Sequence, residues 1–361
     1  MTERLRVALL FGGRSAEHDV SVLSAGNVFR ALDPARYAVE AVAIGRDGIW
    51  RRCALGEGDP FPSAAPADGP RVAFLPGDGG RLTVLDGPGG ARPIDVVVPV
   101  LHGPNGEDGT VQGLLELAGV PYVGSGVMGS AAAMDKDVAK RLLRDAGLPI
   151  VPFLALTARR RVSFEAAAAA LGSRDLFVKP ANMGSSVGVS RARSAAEFDA
   201  AVALALRYDG KLLVERAVPD AREVECSVLE TADGEIRVSV AGEIAPAPAH
   251  GFYSYDAKYV DAAGARLVIP AELPPALSER IRDLARVTFE TLCCGGLARV
   301  DFFVAPGEGG EVFVNEANTL PGFTAISMYP KLWEADGLPG PALMDALIGH
   351  ALARHRAREA G

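Results

Sequence analysis

Short apolar runs alternate with helical patterns throughout the first third of the chain. The runs are RVALLFGG, YAVEAVAIG and PIDVVVPVLHG, and helical patterns extend from Glu17 to Leu32 and through TVQGLLELAG. The run from Val96 to Val100 contains no polar residue, which is typical of a strand buried on both faces of a parallel sheet. We therefore expect an open α/β domain with functional side chains at the carboxyl ends of its strands.

The rest of the chain mixes helices with shorter strands. The segment VGSGVMGSAAAMDKDVAKRLLRDAGLP predicts one helix that ends at Asp145, because Gly147 and a proline follow. A small unit comes next, with the helix FEAAAAALG, the strand LFVKP, the loop ANMGSS, the strand VGVS, a further helix and the strand KLLVER. From Ala217 onward we expect strands, the helix LSERIRDLARVTFETL, a β-hairpin and a closing helix.

Length and composition fit a globular protein of two or three domains. The chain has 361 residues, of which 49% are hydrophobic and 23% charged. Its net charge of -8 argues against a nucleic-acid surface. No apolar stretch approaches about 18 residues and the N-terminus lacks a signal-peptide pattern, so we expect a cytoplasmic protein without membrane contact. The four cysteines lack metal-ligand spacing, and we expect buried, reduced thiols.

Two strand-like runs near the end of the chain predict a hairpin. Residues 299–304 and 312–318 are joined by a Gly-rich turn. If Val304 pairs with Phe313, the register fixes the other pairs, and the side chains alternate between the two faces. The pairs that follow are Asp301 with Glu316 and Arg299 with Asn318. One face of the hairpin is then polar and the other is apolar.

Two carboxylates and an amide oxygen therefore converge on one face of this hairpin. Hard oxygen ligands of this kind suit Mg²⁺ that is shared with the phosphates of a nucleotide. The alternative is a solvent-exposed polar face with an Arg–carboxylate pair, because alternating polar faces are ordinary in antiparallel sheets.

A glycine loop follows the strand that ends in Lys179. In FVKPANMGSSVGVS, small residues allow backbone N–H groups to approach an anion, and the lysine can meet phosphate oxygens. The pattern is neither a Walker A loop nor a Rossmann fingerprint, and a plain hairpin turn is the alternative. Downstream, Glu215 and Glu223 could bind adenine and ribose, or could be two exposed acids.

Glu17 and His102 lie after strands of the first domain. Glu17 falls in the first turn of a helix, where an acid also complements the helix dipole. His102 and an acidic loop follow a buried strand, where ligand sites of α/β domains gather. A single histidine or glutamate at such a position is more often structural, but the two together favour a site.

These motifs resemble the ATP-grasp superfamily and, more closely, the D-alanine:D-alanine ligase family. Six segments occur in the family's order over nearly the whole chain: GGRSAEHDVS, LHGPNGEDGTVQGLLELAGVPYVGSGVMGSAAAMDK, VKPANMGSSVGVS, FYSYDAKY, LARVDFF and NEANTLPGFTAIS. The resemblance implies an α/β protein with the three-domain ATP-grasp fold, in which an N-terminal parallel-sheet domain precedes two α+β units that enclose ATP. We expect a substrate domain over 1–124, a central subdomain over 125–215, and a C-terminal subdomain with the metal site and a lid loop over 216–361.

The resemblance also implies a reaction. ATP would activate the carboxylate of one D-alanine as an acyl phosphate, and the amine of a second D-alanine would attack it to give D-alanyl-D-alanine for peptidoglycan. A carboxylate is a poor electrophile, so phosphoryl transfer supplies the leaving group, and that transfer needs charge neutralisation. The implied cofactors are ATP and two Mg²⁺ ions, for which Mn²⁺ could substitute, and the implied assembly is a homodimer.

Matching positions carry the family's site residues. The resemblance implies Asp301, Glu316 and Asn318 as metal ligands. It implies Arg299 and the N–H of Gly322 as the donors that stabilise the oxyanion of the tetrahedral intermediate. The implied nucleotide contacts are Lys136, Lys179, Ser186, Val187, Glu215, Val218, Glu223, Phe252 and Asn315.

The substrate contacts follow from the same resemblance. Glu17 would take the ammonium group of the first substrate, aided by His102. The implied contacts of the second substrate are Ser327, Lys258 and Met328. Tyr259 resembles a loop tyrosine that hydrogen-bonds with Glu17 and Ser185 in ligases that prefer D-alanine as the second substrate, whereas ligases that accept D-lactate have another residue there. We therefore expect the dipeptide product.

Two departures and one loop complete the comparison with the family. Met183 stands where many relatives have Leu or Glu, and the residues TAIS, which end at Ser327, differ from the family's usual sequence. Neither change removes an implied site residue. The segment from Phe252 to Val260 would be a lid that closes over the nucleotide and protects the acyl phosphate from water.

Two alternatives remain open from the sequence. A D-alanine:D-lactate ligase or another ATP-grasp carboxylate–amine ligase would share Lys179 and the metal ligands but not the implied substrate contacts. A non-catalytic nucleotide sensor would have no use for Arg299 and the Gly322 turn.

Overall fold

The computed structural model describes residues 4–56, 58–86, 89–246, 265–307 and 309–360. Within these ranges we find no helix with the length and apolar composition that crossing a membrane requires. The four cysteines are free; Cys53 and Cys226 are buried as expected, whereas Cys293 is exposed.

The first part of the chain alternates strands and helices as the sequence predicts. Its elements are β1 (Leu5–Gly12), α1 (His18–Ala31), β2 (Tyr37–Ile44), β3 (Trp50–Arg52), β4 (Val72–Phe74), β5 (Arg81–Val84), β6 (Arg92–Pro93), β7 (Val96–Leu101) and α2 (Thr110–Ala118). Strand β1 lies parallel to β2 on one side and to β7 on the other, and β3 pairs antiparallel with β2 at the edge. Strands β4, β5 and β6 form a separate small sheet.

Both faces of the parallel sheet are covered. Val7, Leu9 and Phe11 of β1 pack into a cluster with α1, whereas Ala8 and Leu10 pack on the opposite face with residues of α2. All five side chains are fully buried. This confirms the sequence-based expectation, because a strand buried on both faces has no reason to alternate polar and apolar residues.

The middle of the chain forms an antiparallel sheet with helices. Its elements are α3 (Val127–Met134), α4 (Lys136–Asp145), β8 (Phe153–Thr157), α5 (Phe164–Leu171), β9 (Leu176–Pro180), β10 (Ser190–Ala192), α6 (Ala195–Ala205) and β11 (Lys211–Arg216). The strand order is β10-β9-β11-β8, and each neighbouring pair is antiparallel.

Two expectations for this part are wrong. The single helix predicted to end at Asp145 is two helices, because Asp135 adopts an extended conformation and its carboxylate caps α4 by accepting the N–H groups of Asp137 and Val138. The cap satisfies donors that a continuous helix would not expose. The strand VGVS is part of the glycine loop, and β10 begins only at Ser190.

The last part is built on a larger antiparallel sheet. Its elements are β12 (Arg222–Glu230), β13 (Ile236–Val238), β14 (Gly242–Pro246), β15 (Ala265–Val268), α7 (Pro275–Thr291), β16 (Leu297–Val304), β17 (Val312–Asn318), α8 (Met328–Ala335) and α9 (Gly340–Glu359). The strand order is β15-β14-β12-β16-β17, and β13 pairs with β12. Helix α7 covers the apolar face, where Ile281 and Phe289 pack against Val300 and Phe302.

The closing helix α9 packs on the first sheet of the chain. Leu343, Leu347 and Ile348 share one buried cluster with Val7 and Val98. Arg354 adds hydrogen bonds from α9 to the carbonyl groups of Tyr122 and Gly124. The two ends of the chain therefore share one core.

Candidate active site

A cleft of about 300 Å³ lies between the middle sheet and the C-terminal sheet. The strand ends of β9 and β11 face it from one side, and β12, β16 and β17 face it from the other. A smaller cavity of about 100 Å³ adjoins it. Gly184, Ser185, Glu225 and Glu316 line both, so the two cavities meet at these residues.

Lysine side chains cluster on the middle-sheet side of the cleft. Glu215 at the end of β11 forms ion pairs with Lys179 Nζ (2.7 Å) and Lys140 Nζ (3.1 Å). Burial alone would raise the pKa of Glu215, but the two ammonium groups outweigh it and hold the pKa below its usual range. Burial lowers the pKa of Lys140, against the attraction of Glu215. Of these two lysines, Lys179 lines the cleft, where its ammonium group can meet an anion.

The glycine loop closes this end of the cleft. Ser185 and Ser186 have φ values of 50° and 58°, in the left-handed region that non-glycine residues rarely adopt. Such backbone costs stability and concentrates at ligand sites. Lys136 Nζ donates to the carbonyl of Met183 at 2.7 Å and lies 3.4 Å from Glu316 Oε2, so it bridges the loop and β17. The N–H of Val187 donates to Gly184 O within the loop.

The predicted hairpin of β16 and β17 forms with the predicted register at the site end. Arg299 pairs with Asn318, and Asp301 pairs with Glu316. The polar face holds these four half-buried side chains, while the alternate residues of β16 are buried. The predicted polar and apolar faces are therefore confirmed.

The register at the other end of the hairpin is wrong by one residue. Val304 pairs with Val312 instead of Phe313. The reason is a β-bulge in β17 opposite Asp301 and Phe302 of β16, which leaves no β16 residue directly opposite Asn315. A bulge inserts one residue and reverses which residues face the site. Asn315 and Glu316, although adjacent in sequence, both line the cleft as a result. Lys179 Nζ donates to Asn315 Oδ1 at 3.4 Å.

Arg299 lies between two carboxylates. Its Nε and Nη2 each donate to Asp301 at 2.7 Å, and Nε lies 2.9 Å from Glu225 Oε2. Burial by itself would lower the pKa of Arg299, but Asp301 and Glu225 raise it well above its usual range. The guanidinium is thus a fixed cation in the wall of the smaller cavity.

The implied metal ligands form a partial coordination set. Asp301, Glu316 and Asn318 supply two carboxylates and one amide, and Asn318 Nδ2 donates to Asp301 Oδ2 at 3.0 Å. Among the residues that the structure describes, no group of three or more His, Cys, Asp or Glu side chains is arranged to hold a metal ion. A divalent ion that prefers six oxygen ligands fits these residues if phosphate oxygens or water complete its shell.

Glu17 is buried at the inner end of the smaller cavity. It precedes α1, and its Oε1 accepts a hydrogen bond from Ser185 Oγ of the glycine loop. A Cβ atom on Gly103 or Gly184 would lie 2.8 or 2.9 Å from Oε2 of Glu17. A side chain at either position would press on the carboxylate where it now lies, so two loops enclose one buried acid.

His102 uses both ring nitrogens within the protein. Nδ1 lies 3.0 Å from Leu320 O and Nε2 lies 3.3 Å from Ser24 Oγ. A carbonyl oxygen can only accept, so Nδ1 carries the proton and Nε2 accepts from the Ser24 hydroxyl. Burial lowers the pKa of His102, although the nearby carboxylate of Glu17 opposes this shift.

The turn after β17 forms the far wall of the smaller cavity. Gly322 N belongs to this turn, and a Cβ atom at Gly322 would lie 2.7 Å from Ser327 Oγ. That hydroxyl accepts the N–H of Thr324 at 2.9 Å. Ser327 and the buried Met328 both line the cavity.

Two family models together match most of the chain. The model described as D-ala D-ala ligase N-terminus matches residues 6–125, and the model described as D-ala D-ala ligase C-terminus matches residues 142–349. This chain belongs to the D-alanine–D-alanine ligase family. Its members include sequences and solved structures that are similar to this chain over nearly their full length.

Two similar sequences carry the name D-alanine--D-alanine ligase. The one from Methylobacterium sp. (strain 4-46) is 68% identical over 358 residues, which is 98% of this chain and 92% of the relative. The one from Bradyrhizobium sp. (strain ORS 278) is 61% identical over 363 residues, which is 99% of this chain and 98% of the relative.

Solved structures of the ligase family share the fold. The D-alanine-D-alanine ligase from Coxiella burnetii has a TM-score of 0.85 at 36% identity and covers 99% of this chain and 97% of its own. The VanG D-Ala:D-Ser ligase from Enterococcus faecalis has a TM-score of 0.84 at 33% identity, with 97% and 100% coverage. The chain therefore has the ATP-grasp fold predicted from the sequence, with a parallel-sheet N-terminal domain followed by antiparallel sheets.

The structure brings most of the predicted site residues together. The predicted site residues that line the cleft are Lys136, Lys179, Ser185, Ser186, Glu215, Val218, Glu223, Asp301, Asn315 and Glu316. Those around the smaller cavity include Glu17, His102, Arg299, Asn318, Gly322, Ser327 and Met328. Phe252, Lys258, Tyr259 and the predicted lid lie outside the described residues. The roles implied by the ligase family remain predictions.

Three site residues were missed in the sequence. Lys140 follows Lys136 by one helical turn, so the spacing in α4 could have identified it. Glu107 lies in the acidic loop after His102, and burial together with Glu17 raises its pKa to about 8. Glu225 pairs across strands with Asp301, and that pairing of β12 with β16 has no local signal in the sequence.

Proposed function

We propose that this chain joins two D-alanine molecules to D-alanyl-D-alanine with conversion of ATP to ADP, through a D-alanyl phosphate, to supply a precursor of peptidoglycan. One observation carries the proposal: a lysine-lined cleft and a smaller cavity with a buried carboxylate meet at Ser185 and Glu316. A nucleotide in the cleft and an amino acid in the cavity would have their reacting ends at this junction. Membership of the ligase family supports the same reaction.

ATP would occupy the cleft. The ammonium groups of Lys136 and Lys179 would bind its phosphates, helped by the backbone of the glycine loop around Ser186 and Val187. Glu215, Val218 and Glu223 would contact the adenosine. Lys136 and Lys179 both line the cleft, and this pair of ammonium groups supports an anionic ligand there.

Two Mg²⁺ ions, or Mn²⁺ in their place, would be held by Asp301, Glu316 and Asn318. Such ions neutralise phosphate charge and lower the barrier to phosphoryl transfer. The protein's own part is to present two carboxylates and an amide on one face of the β16–β17 hairpin, beside the two lysines. Arg299, two positions before Asp301 on the same face of β16, donates two hydrogen bonds that hold the Asp301 carboxylate in place.

The first D-alanine would bind in the smaller cavity. Its ammonium group would pair with Glu17, which the loops of Gly103 and Gly184 enclose. Its carboxylate would then point toward the junction with the cleft, where the γ-phosphate arrives. Arg299 and the N–H of Gly322 would bind the negative oxygen that forms when the acyl phosphate is attacked.

The second D-alanine would enter between the turn at residues 320–327 and the lid segment. Ser327 and Met328 would contact it from α8, and Lys258 and Tyr259 would contact it from the lid. A chain with the same fold acts as a D-Ala:D-Ser ligase, so the fold by itself does not select the second substrate. The proposal of D-alanine rests on Tyr259 and on the names of the similar sequences.

ADP release by the purified protein tests this proposal. The assay contains ATP and Mg²⁺ with D-alanine, L-alanine, or D-alanine plus D-lactate, and mass spectrometry identifies the products. We expect release that depends on D-alanine, with D-alanyl-D-alanine as the main product even when D-lactate is present. Release with D-alanyl-D-lactate as the main product would support the alternative ligase, and no release with any substrate would overturn the proposal.

We further propose three functional units with boundaries at 124/125 and 215/216, a cytoplasmic location and a homodimer. The exposed side chain of Leu23 on α1 is a candidate dimer contact. Light scattering on the wild-type protein and on Leu23→Asp tests the dimer. A monomeric wild-type protein would contradict it.

A further inference from the structure

Helix α1 holds the turn at residues 320–323 through two side chains that lie one helical turn apart. Ser24 Oγ accepts the N–H of Phe323 at 3.2 Å, and Asn27 Nδ2 donates to the carbonyl of Phe323 at 2.7 Å. Both polar backbone groups of one turn residue are therefore bound by one helix face. Ser24 is fully buried, and the amide oxygen of Asn27 accepts from Arg30, which fixes the amide orientation.

The other end of the same turn is held through His102. The Ser24 hydroxyl donates to His102 Nε2, and His102 Nδ1 donates to Leu320 O. One serine thus accepts from Phe323 and, through the histidine ring, restrains Leu320. Pro321 and Gly322 lie between these two anchored residues. With φ of Pro321 fixed by its ring, little freedom is left in the direction of the Gly322 N–H.

We propose that Ser24 and Asn27 are positioning residues that aim the Gly322 N–H at the oxygen of the reacting carbonyl group. This inference rests on the proposed function, in which that N–H binds the developing oxyanion. Donors of this kind act because they are fixed in place before the reaction. Small displacements of a donor cost transition-state binding and leave ground-state binding almost unchanged. Removing the two anchors should therefore lower kcat more than it changes any KM.

The test compares Ser24→Ala, Asn27→Ala and the double variant with the wild-type protein. Each single change removes one anchor, and we expect kcat to fall about threefold to tenfold, with KM for ATP unchanged within about twofold. The inhibition constant of a phosphinate dipeptide, whose phosphorus is tetrahedral like the attacked carbon, should rise by the same factor as kcat falls. Amide hydrogen exchange of residues 320–324 should become faster.

Ser130→Ala is the matched control. Ser130 is also a fully buried serine in a helix, α3, and its hydroxyl donates to the carbonyl of Ser125, which precedes that helix. We expect it to lower the urea midpoint to a similar extent without a change in kcat or in phosphinate inhibition. Should Ser24→Ala fail to fold, Asn27→Asp removes the donor to Phe323 while it keeps the side-chain shape.

Two outcomes would overturn the inference. In one, Ser24→Ala and Asn27→Ala lose no more kcat than Ser130→Ala. In the other, substrate binding and phosphinate inhibition weaken by the same factor. Both outcomes can be observed only if the wild-type protein makes D-alanyl-D-alanine. Failure of the proposed function is a different result, because the wild-type protein itself would then release no ADP.

Discussion

Glu316 is one of the four residues at which the two cavities meet. Its carboxylate lies 3.4 Å from Lys136 Nζ and pairs across strands with Asp301. It lines both the cleft and the smaller cavity. A carboxylate at this junction can bind a metal ion and also keep Lys136 in place. Its loss should therefore lower turnover more than it lowers the stability of the fold.

Glu316→Ala should lower ADP release by at least about a hundredfold, because a metal ligand contributes several kcal/mol to phosphoryl transfer. The circular dichroism spectrum and the urea midpoint should stay close to those of the wild-type protein. Glu311→Ala, an exposed acid next to the same strand, is the control and should keep full activity. Near-normal turnover in Glu316→Ala would contradict the metal assignment.

Glu107 should make stability depend on pH. Burial, followed by the nearby carboxylate of Glu17, raises its pKa from 4.5 to about 8, although the Gly103 N–H and Arg299 oppose the shift. The folded protein then binds more protons than the unfolded chain between these values, and stability falls as the pH rises through this window. Glu107→Gln removes this contribution and keeps the shape.

Urea unfolding of wild-type protein and Glu107→Gln near pH 5 and near pH 9 measures the effect. The variant should gain stability relative to the wild-type protein at the higher pH, by on the order of a few kcal/mol. An equal difference at the two pH values would show that Glu107 titrates at its usual pKa.

At the scale of elements, the start of α4 couples helix capping to the cleft. Asp135 caps the helix, accepts from Lys211 Nζ at 2.7 Å and directly precedes Lys136, whose N–H donates to Ala181 O of the glycine loop. The break between α3 and α4 thus directs a phosphate-binding lysine toward the cleft. In one continuous helix, the direction of the Lys136 side chain would be set by the helical repeat of α3 and not by the separate start of α4.

Asp135→Ala should lower the free energy of unfolding by about 1 kcal/mol, the usual effect of losing an N-cap. It should also raise KM for ATP several-fold, because Lys136 loses its fixed position. Ser163→Ala removes the N-cap of α5 and is the control: it should show a similar loss of stability with an unchanged KM for ATP. The same KM in both variants would mean that the cap has no role in nucleotide binding.

At the scale of the whole molecule, the two ends of the chain share a core. Leu347 of α9 is buried beside Val7 and Val98 of the first sheet. The core therefore crosses the boundaries proposed for the functional units. A single hydrophobic cluster that joins distant segments favours unfolding in one cooperative transition.

Leu347→Ala should cost about 2 to 5 kcal/mol of stability, the range for deleting a buried leucine side chain. Fluorescence and circular dichroism should still report one shared urea transition. Leu117→Ala makes the same chemical change at a side chain that is 67% exposed, and it should change stability by less than about 0.5 kcal/mol. Two separate transitions in Leu347→Ala would show that the ends of the chain fold independently.

Local patterns in the sequence determined the kinds of elements and the chemistry of the site. Wholly apolar runs identified the parallel strands, and period-two alternation identified the polar face with Arg299, Asp301, Glu316 and Asn318. Such patterns are readable because each depends only on neighbours within one strand or helix. The motifs that resemble the ligase family are readable for the same reason, because each is a short run of residues that are close together in the sequence.

Tertiary structure decided how these pieces meet. The bulge at Asn315 shifts the register of the predicted hairpin by one residue toward its turn, and Asp135, which caps α4, also accepts a hydrogen bond from Lys211 of another element. Ser24 and Phe323 are 299 positions apart, and Lys140 meets Glu215 from another element. These contacts depend on packing between elements that are distant in sequence, so no local periodicity indicates them.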